Sequence, residues 1–162
     1  SLRRRQRQMC IRDRNLSMSD PSFKCYLMDT GLLISLAFKD RPILENDLYK
    51  QILLDRLQVN EGMLIENLVS QCLRANGHPS YFYLERNSAT RKTTLEIDFL
   101  IRQNKKIVPI EVKSSSSSSI KSLERFKEKY GSRIADGIVL HHGELKREGT
   151  VVFLPYFMAC VL

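Results

Sequence analysis

Apolar residues at 64, 65, 68, 69, 72 and 73 recur at helical spacing, so residues 61–75 are predicted as an amphipathic helix with Asn76-Gly77 as its stop. Further on, the period drops to two. Leu95 and Ile97 alternate with Glu96 and Asp98, which predicts a half-buried strand over 95–101. A polar connection, Arg102 to Lys106, leads into a second predicted strand, Ile107-Val108-Pro109-Ile110-Glu111-Val112-Lys113. Shorter apolar runs at 81–84, 137–140 and 151–154 read as strands, and Phe23 to Met28 as a strand or extended lead-in. Ile120, Leu123, Phe126 and Tyr130 fall on one side of a helix that ends at Gly131. Asp29 or Thr30 can cap a helix running to Phe38, and Pro155 can start a short C-terminal one. The stretches between are a polar turn at 39–47, a weakly helical segment at 48–58 and an exposed loop at 86–94. The six serines at 114–119 read as a mobile loop between a strand and a helix. Strands alternating with helices of this length imply a central sheet with crossover helices, an α/β domain.

Composition narrows the class. A chain of 162 residues with 43% apolar and 27% charged side chains has the make-up of one globular domain. No apolar run reaches the roughly 18 residues of a membrane span, and a cytoplasmic location is expected. Cys10, Cys25, Cys72 and Cys160 show no Cys-x-x-Cys pairing, so free or buried thiols are expected rather than a zinc site or disulfide framework. The net charge of +8 is unevenly placed: residues 1–14 carry six arginines and one aspartate, leaving only +3 for the rest. A basic arm gripping phosphates is one reading of that stretch. The string also resembles translated sequencing adapter, and the expectation is a non-native tail outside a domain spanning 22–162.

The candidate chemistry lies at the end of the two central strands. Glu111 and Lys113 are two apart and share a strand face, and Asp98 can lie beside them if the strands form a hairpin. Two carboxylates and an ammonium brought together are costly to desolvate without compensation, and a hard divalent cation such as magnesium would supply it. The plainer alternative is a solvated strand face with a surface ion pair. Glu66 sits at the border of the first helix's apolar stripe, where it can reach the sheet.

The order helix-Glu66, strand-Asp98, strand-Glu111-x-Lys113 resembles the PD-(D/E)xK nuclease superfamily. More closely, Tyr26 to Leu33, Gly62 to Val69, Glu96 to Ile101, Ile107 to Ser114 and Leu154-Pro155-Tyr156 resemble the C-terminal domain of unknown function 4143 of P-loop ATPases. The resemblance implies a restriction-endonuclease-like three-layer core, a mixed central sheet flanked by helices. It further implies a chain whose ATPase part lies elsewhere, since no Gly-x-x-x-x-Gly-Lys-Ser/Thr string occurs here. Ile97 stands where the superfamily's leading proline would be.

By that resemblance Asp98, Glu111 and the backbone carbonyl of Val112 would hold Mg2+ or Mn2+. Lys113 would position the attacking water or offset charge on the phosphate, and Glu66 would orient a metal-bound water. Glu96 shares the Asp98 face as an auxiliary or solvated group. The implied activity is DNA phosphodiester hydrolysis. The alternative is a non-catalytic module that binds nucleic acid or docks on the ATPase. His141-His142 is expected at a solvent-facing strand end and His78 in a loop, while Arg86, Arg91 and Lys92 are either phosphate contacts or a solvated loop. Tyr81, Phe82 and Tyr83 are expected in the core rather than stacking bases.

Overall fold

A computed structural model describes residues 3–12, 15–37, 61–114 and 120–162. Its strands are β1 (Arg3–Arg12), β2 (Asn15–Leu27), β3 (Tyr81–Arg86), β4 (Thr93–Gln103), β5 (Lys106–Val112), β6 (Gly137–His141), β7 (Lys146–Glu148) and β8 (Val151–Pro155). Its helices are α1 (Thr30–Ala37), α2 (Glu61–Ala75) and α3 (Lys121–Tyr130), with a 3-10 turn at Tyr156–Val161. The strands join in one mixed sheet of order β2-β1-β3-β4-β5-β6-β8-β7. The predicted segments at 39–47 and 48–58, and the serines after Ser114, lie outside the described residues.

Two apolar layers sandwich the sheet. On one face Val69 and Leu73 of α2 pack with Tyr26, Phe99, Ile101, Val108, Ile110, Val112, Leu140 and Leu154. On the other, Leu123 and Phe126 of α3 pack with Tyr83, Leu95, Ile97, Leu100, Val139, Val151 and Phe153. The α/β class expected from the alternating pattern is therefore present. So is the adjacency of β4 and β5, which pair antiparallel with Phe99 opposite Ile110. Asp29 caps α1, its Oδ1 accepting from the Leu32 N–H at 2.8 Å. Gly77 and Gly131 end their helices at positive φ, where a Cβ would strain the backbone.

Helix α2 buries Val69 and Leu73 of the expected stripe, with Ile65 and Cys72 packed beside them, but not Leu68. Leu68 is 45% exposed, whereas Asn67 is buried at 1%. The reason is polar docking: the Asn67 side chain accepts from the Leu27 N–H at 2.8 Å and donates to Thr30 Oγ1 at 2.9 Å. Those bonds turn the helix toward the β2–α1 corner, with Val69, Ser70 and Leu73 carried inward.

In the arginine-rich start, the backbone of Arg3–Arg12 pairs antiparallel with β2. A ladder uses only N–H and C=O groups, so a stretch without apolar alternation can still pair. Its tie to β3 is slight, Arg7 opposite Tyr81 and Gln8 opposite Phe82. The end of β2 is held independently, by Lys24, Tyr26 and the Asn67 bond to Leu27. Deleting residues 1–14 is accordingly expected to lower the melting temperature by only about 3 °C, since lost ladder bonds are offset by chain entropy. A calorimetric loss above about 8 °C would make β1 an integral strand.

Candidate active site at the seam of the two sheet faces

A bulge builds the site. Tyr81 pairs with Leu100 and Tyr83 with Ile97, so Phe82 of β3 alone opposes both Asp98 and Phe99 of β4. Regular alternation would keep Ile97 and Phe99 on one face, yet Ile97 belongs to the α3 layer and Phe99 to the α2 layer. The extra residue changes the facing of the strand at Asp98, a common use of bulges beside functional sites. Beyond the Phe99–Ile110 pair the backbone ladder stops, and Asp98 Oδ2 accepts the Val112 N–H at 3.0 Å in its place.

The carboxylates consequently divide between two faces. On the α2 side, Lys24 Nζ lies 2.7 Å from Glu96 Oε1, 3.1 Å from Asp98 Oδ1 and 3.8 Å from Glu66 Oε2. The Tyr26 hydroxyl donates to Glu66 Oε2 at 2.9 Å. On the α3 side stand Glu111 and Lys113, because Ile110 and Val112 between and beside them point into the α2 layer. Lys113 Nζ is 2.7 Å from Glu111 Oε2. Asp98 is at the seam, paired with Lys24 on one side and accepting the Val112 N–H, next to Glu111 in the chain, on the other.

Glu111 is the most constrained of these side chains. It is 2% exposed, and neither oxygen accepts a well-aligned hydrogen bond from a described residue. Burial raises its pKa, and the Asp98 charge adds to the rise. Lys113 and the nearby Ser122 hydroxyl partly oppose it. Glu66 is raised by burial and by Asp98, against Lys24 and Tyr26. For Lys24, burial works to lower the pKa, but Asp98, Glu96 and Glu66 outweigh it and the net shift is upward. The Lys113 main chain is pinned at both ends, its N–H to Leu140 O at 2.9 Å and its carbonyl to the Tyr156 hydroxyl.

Of the side chains singled out in the sequence, Arg86, Arg91 and Lys92 are exposed. Glu111 and Lys113 pair at the end of β5, Asp98 in the middle of β4 accepts the Val112 N–H between them, and Glu66 reaches the same seam through Lys24 and Tyr26. Glu96 engages Lys24. Val112 is buried at the end of β5 and gives its N–H to Asp98. Lys24, Tyr26 and Asn67 were not singled out. Lys24 and Tyr26 stand two apart on a strand, a same-face pair visible in the sequence, but what they face is settled by packing. His141 sits at a strand end, its Nε2 against Glu144 O, and His78 against Leu162 O. Phe82 and Tyr83 are in the core.

A divalent cation can be weighed against this donor set. Among the described residues no three His, Cys, Asp or Glu side chains group as a metal-holding set. The bulge separates Glu111 from Glu66 and Glu96, and the Lys24 ammonium already stands among the α2-side carboxylates. What does fit a cation is the pair Asp98 and Glu111, since magnesium takes one or two carboxylates and retains water, and Glu111 is a buried carboxylate short of donors.

The molecule is therefore a mixed α/β domain with an acidic seam where two central strands part. Residues 61–157 match the family described as Domain of unknown function (DUF4143), and the chain belongs to that family. The match takes in Glu66, Asp98, Glu111 and Lys113 and leaves out Lys24 and Tyr26. No curated protein and no solved structure matches the chain. None of the helices among the described residues is long and apolar enough to cross a membrane.

Proposed function

We propose that this domain is a restriction-endonuclease-like module of the PD-(D/E)xK type, belonging to an ATP-binding protein, that hydrolyses DNA phosphodiesters with Mg2+ or Mn2+. The observation that carries the reading is Glu111: a buried carboxylate with no well-aligned donor, beside Lys113 and next to Asp98 at a strand end. Burying a carboxylate costs several kcal/mol in an apolar setting, and the partly exposed Lys113 offsets only part of it, so its retention fits a cation that arrives with function. Asp98 and Glu111 would hold that cation, which when bound supplies Lewis acidity to the phosphate and acidifies a water. The chain's own part is electrostatic and positional. Lys113, with its backbone pinned by Leu140 and Tyr156, holds a positive charge where the phosphate gains negative charge. Glu66, hydrogen-bonded to Tyr26, would orient a water at the seam.

A second reading, a non-catalytic module that binds nucleic acid or docks on the ATPase, is favoured by Lys24. Its ammonium satisfies Asp98 without any metal. Cleavage of single-stranded and duplex DNA with Mg2+ or Mn2+ separates the two, with Asp98→Ala as control. The nuclease reading expects metal-dependent cutting that falls by at least about 100-fold in the variant. Metal binding without cutting, even with the ATPase part supplied, would leave the docking module as the function.

A further inference from the structure

Cys72 lies on α2, on the face packed against the C-terminal 3-10 turn that carries Cys160. The two Sγ atoms are 2.8 Å apart although the residues are 88 positions apart in sequence. The surrounding structure holds them in register. Ala159 is fully buried, Asn76 Nδ2 donates to Leu162 O at 3.1 Å, and His78 Nε2 contacts the same carbonyl at 2.9 Å. A disulfide bond needs the sulfurs at about 2.05 Å, so an approach of under about 1 Å would join them. Cys160 is exposed and Cys72 half-buried, so an oxidant has a way in.

We propose that Cys72 and Cys160 are a reversible dithiol site, oxidised by a small disulfide such as oxidised glutathione to an intramolecular bond that staples α2 to the C-terminal turn. The exposed Cys160, as thiolate, attacks one glutathione sulfur and expels one glutathione thiolate, which takes up a proton. Cys72 then loses its proton and attacks the Cys160 sulfur of the mixed disulfide, and the second glutathione leaves. In total, two protein thiols and one oxidised glutathione give one protein disulfide and two reduced glutathiones. The order follows from the surroundings. Burial, then the contact with Cys160, pushes the Cys72 thiol up to about 11, which makes it the slower nucleophile. Once Cys160 is capped, its own contribution to that rise is gone. The bond would restrain the helix bearing Glu66 and Asn67, and it stands whether or not the seam cleaves DNA.

The test uses the full chain and a Cys10→Ser/Cys25→Ser variant, each incubated with oxidised glutathione. The expected product has lost about 2 Da, two hydrogens, and yields a linked peptide pair containing Cys72 and Cys160. Its melting temperature is expected to rise by about 5–10 °C and to return with dithiothreitol, as closing a long loop predicts for a domain of this size. Cys160→Ser should abolish both changes. Glutathione adducts without the internal link, links through Cys10 or Cys25 instead, unreacted thiols, or a bond that leaves the melting temperature unchanged would each overturn the proposal.

Discussion

Lys113→Ala is expected to destabilise the folded protein at pH 7 by about 3 kcal/mol, the scale for removing one partner of a buried pair. The loss arises because Glu111, 2% exposed, loses the ammonium at 2.7 Å that offsets its burial. Glu111→Gln is expected to cost little or to stabilise, since it removes the buried charge and leaves a partly exposed lysine that water can solvate. The pH dependence carries the same signature. Burial raises the folded-state pKa of Glu111 above its ordinary 4.5. The native state therefore takes up the proton more readily than the unfolded chain. The stability linked to that proton is fully present below the ordinary glutamate range and is lost as pH rises through the folded-state value. Wild type should thus lose stability relative to Glu111→Gln on going upward from about pH 4.5. Urea denaturation across pH 4–8 measures it, and parallel curves for the two proteins would remove the buried charge from the account. On the nuclease reading, Lys113→Ala also keeps metal binding while cleavage falls by about 100-fold.

Lys24→Met is expected to give the second large effect, and it makes the protein respond to metal. In the native protein one ammonium serves Glu66, Glu96 and Asp98 at 3.8, 2.7 and 3.1 Å. Methionine keeps the stem and its packing over Phe82 but withdraws the charge, leaving three acidic groups facing one another. A loss of about 3 kcal/mol is expected at neutral pH. Divalent cations should then substitute for the ammonium. Mn2+ at 100 times its dissociation constant would return about 2.7 kcal/mol, while wild type should respond less. Thermal melts of both proteins with and without Mn2+ decide the matter. A variant as stable as wild type, or one indifferent to the ion, would show that Lys24 is an ordinary surface partner.

Lys24 also marks how far the residues could be read without the fold. The elements themselves were legible because each reports a local period: the spacing of Val69 and Leu73 gives α2, and Leu95 and Ile97 give the start of β4. Glu111-x-Lys113 is a same-face pair by strand geometry alone, and the two side chains do meet. The stripe on α2 was less legible, since Leu68 fits the helical period as well as Val69 does. The buried Asn67, which selects the face, acts through Leu27 and Thr30, 40 and 37 positions away.

Local alternation in the sequence determined the α/β order and put Glu111 and Lys113 on one face of β5. Only the tertiary structure decided that a bulge at Asp98 divides the carboxylates between two faces, because a bulge is a mismatch between two strands and neither strand records it alone. The packing of β2 and α2 against the sheet likewise chose Lys24 as the cation among Glu66, Glu96 and Asp98. Its charge was plain in the sequence, but the partners of a charge depend on which distant segments fold against it.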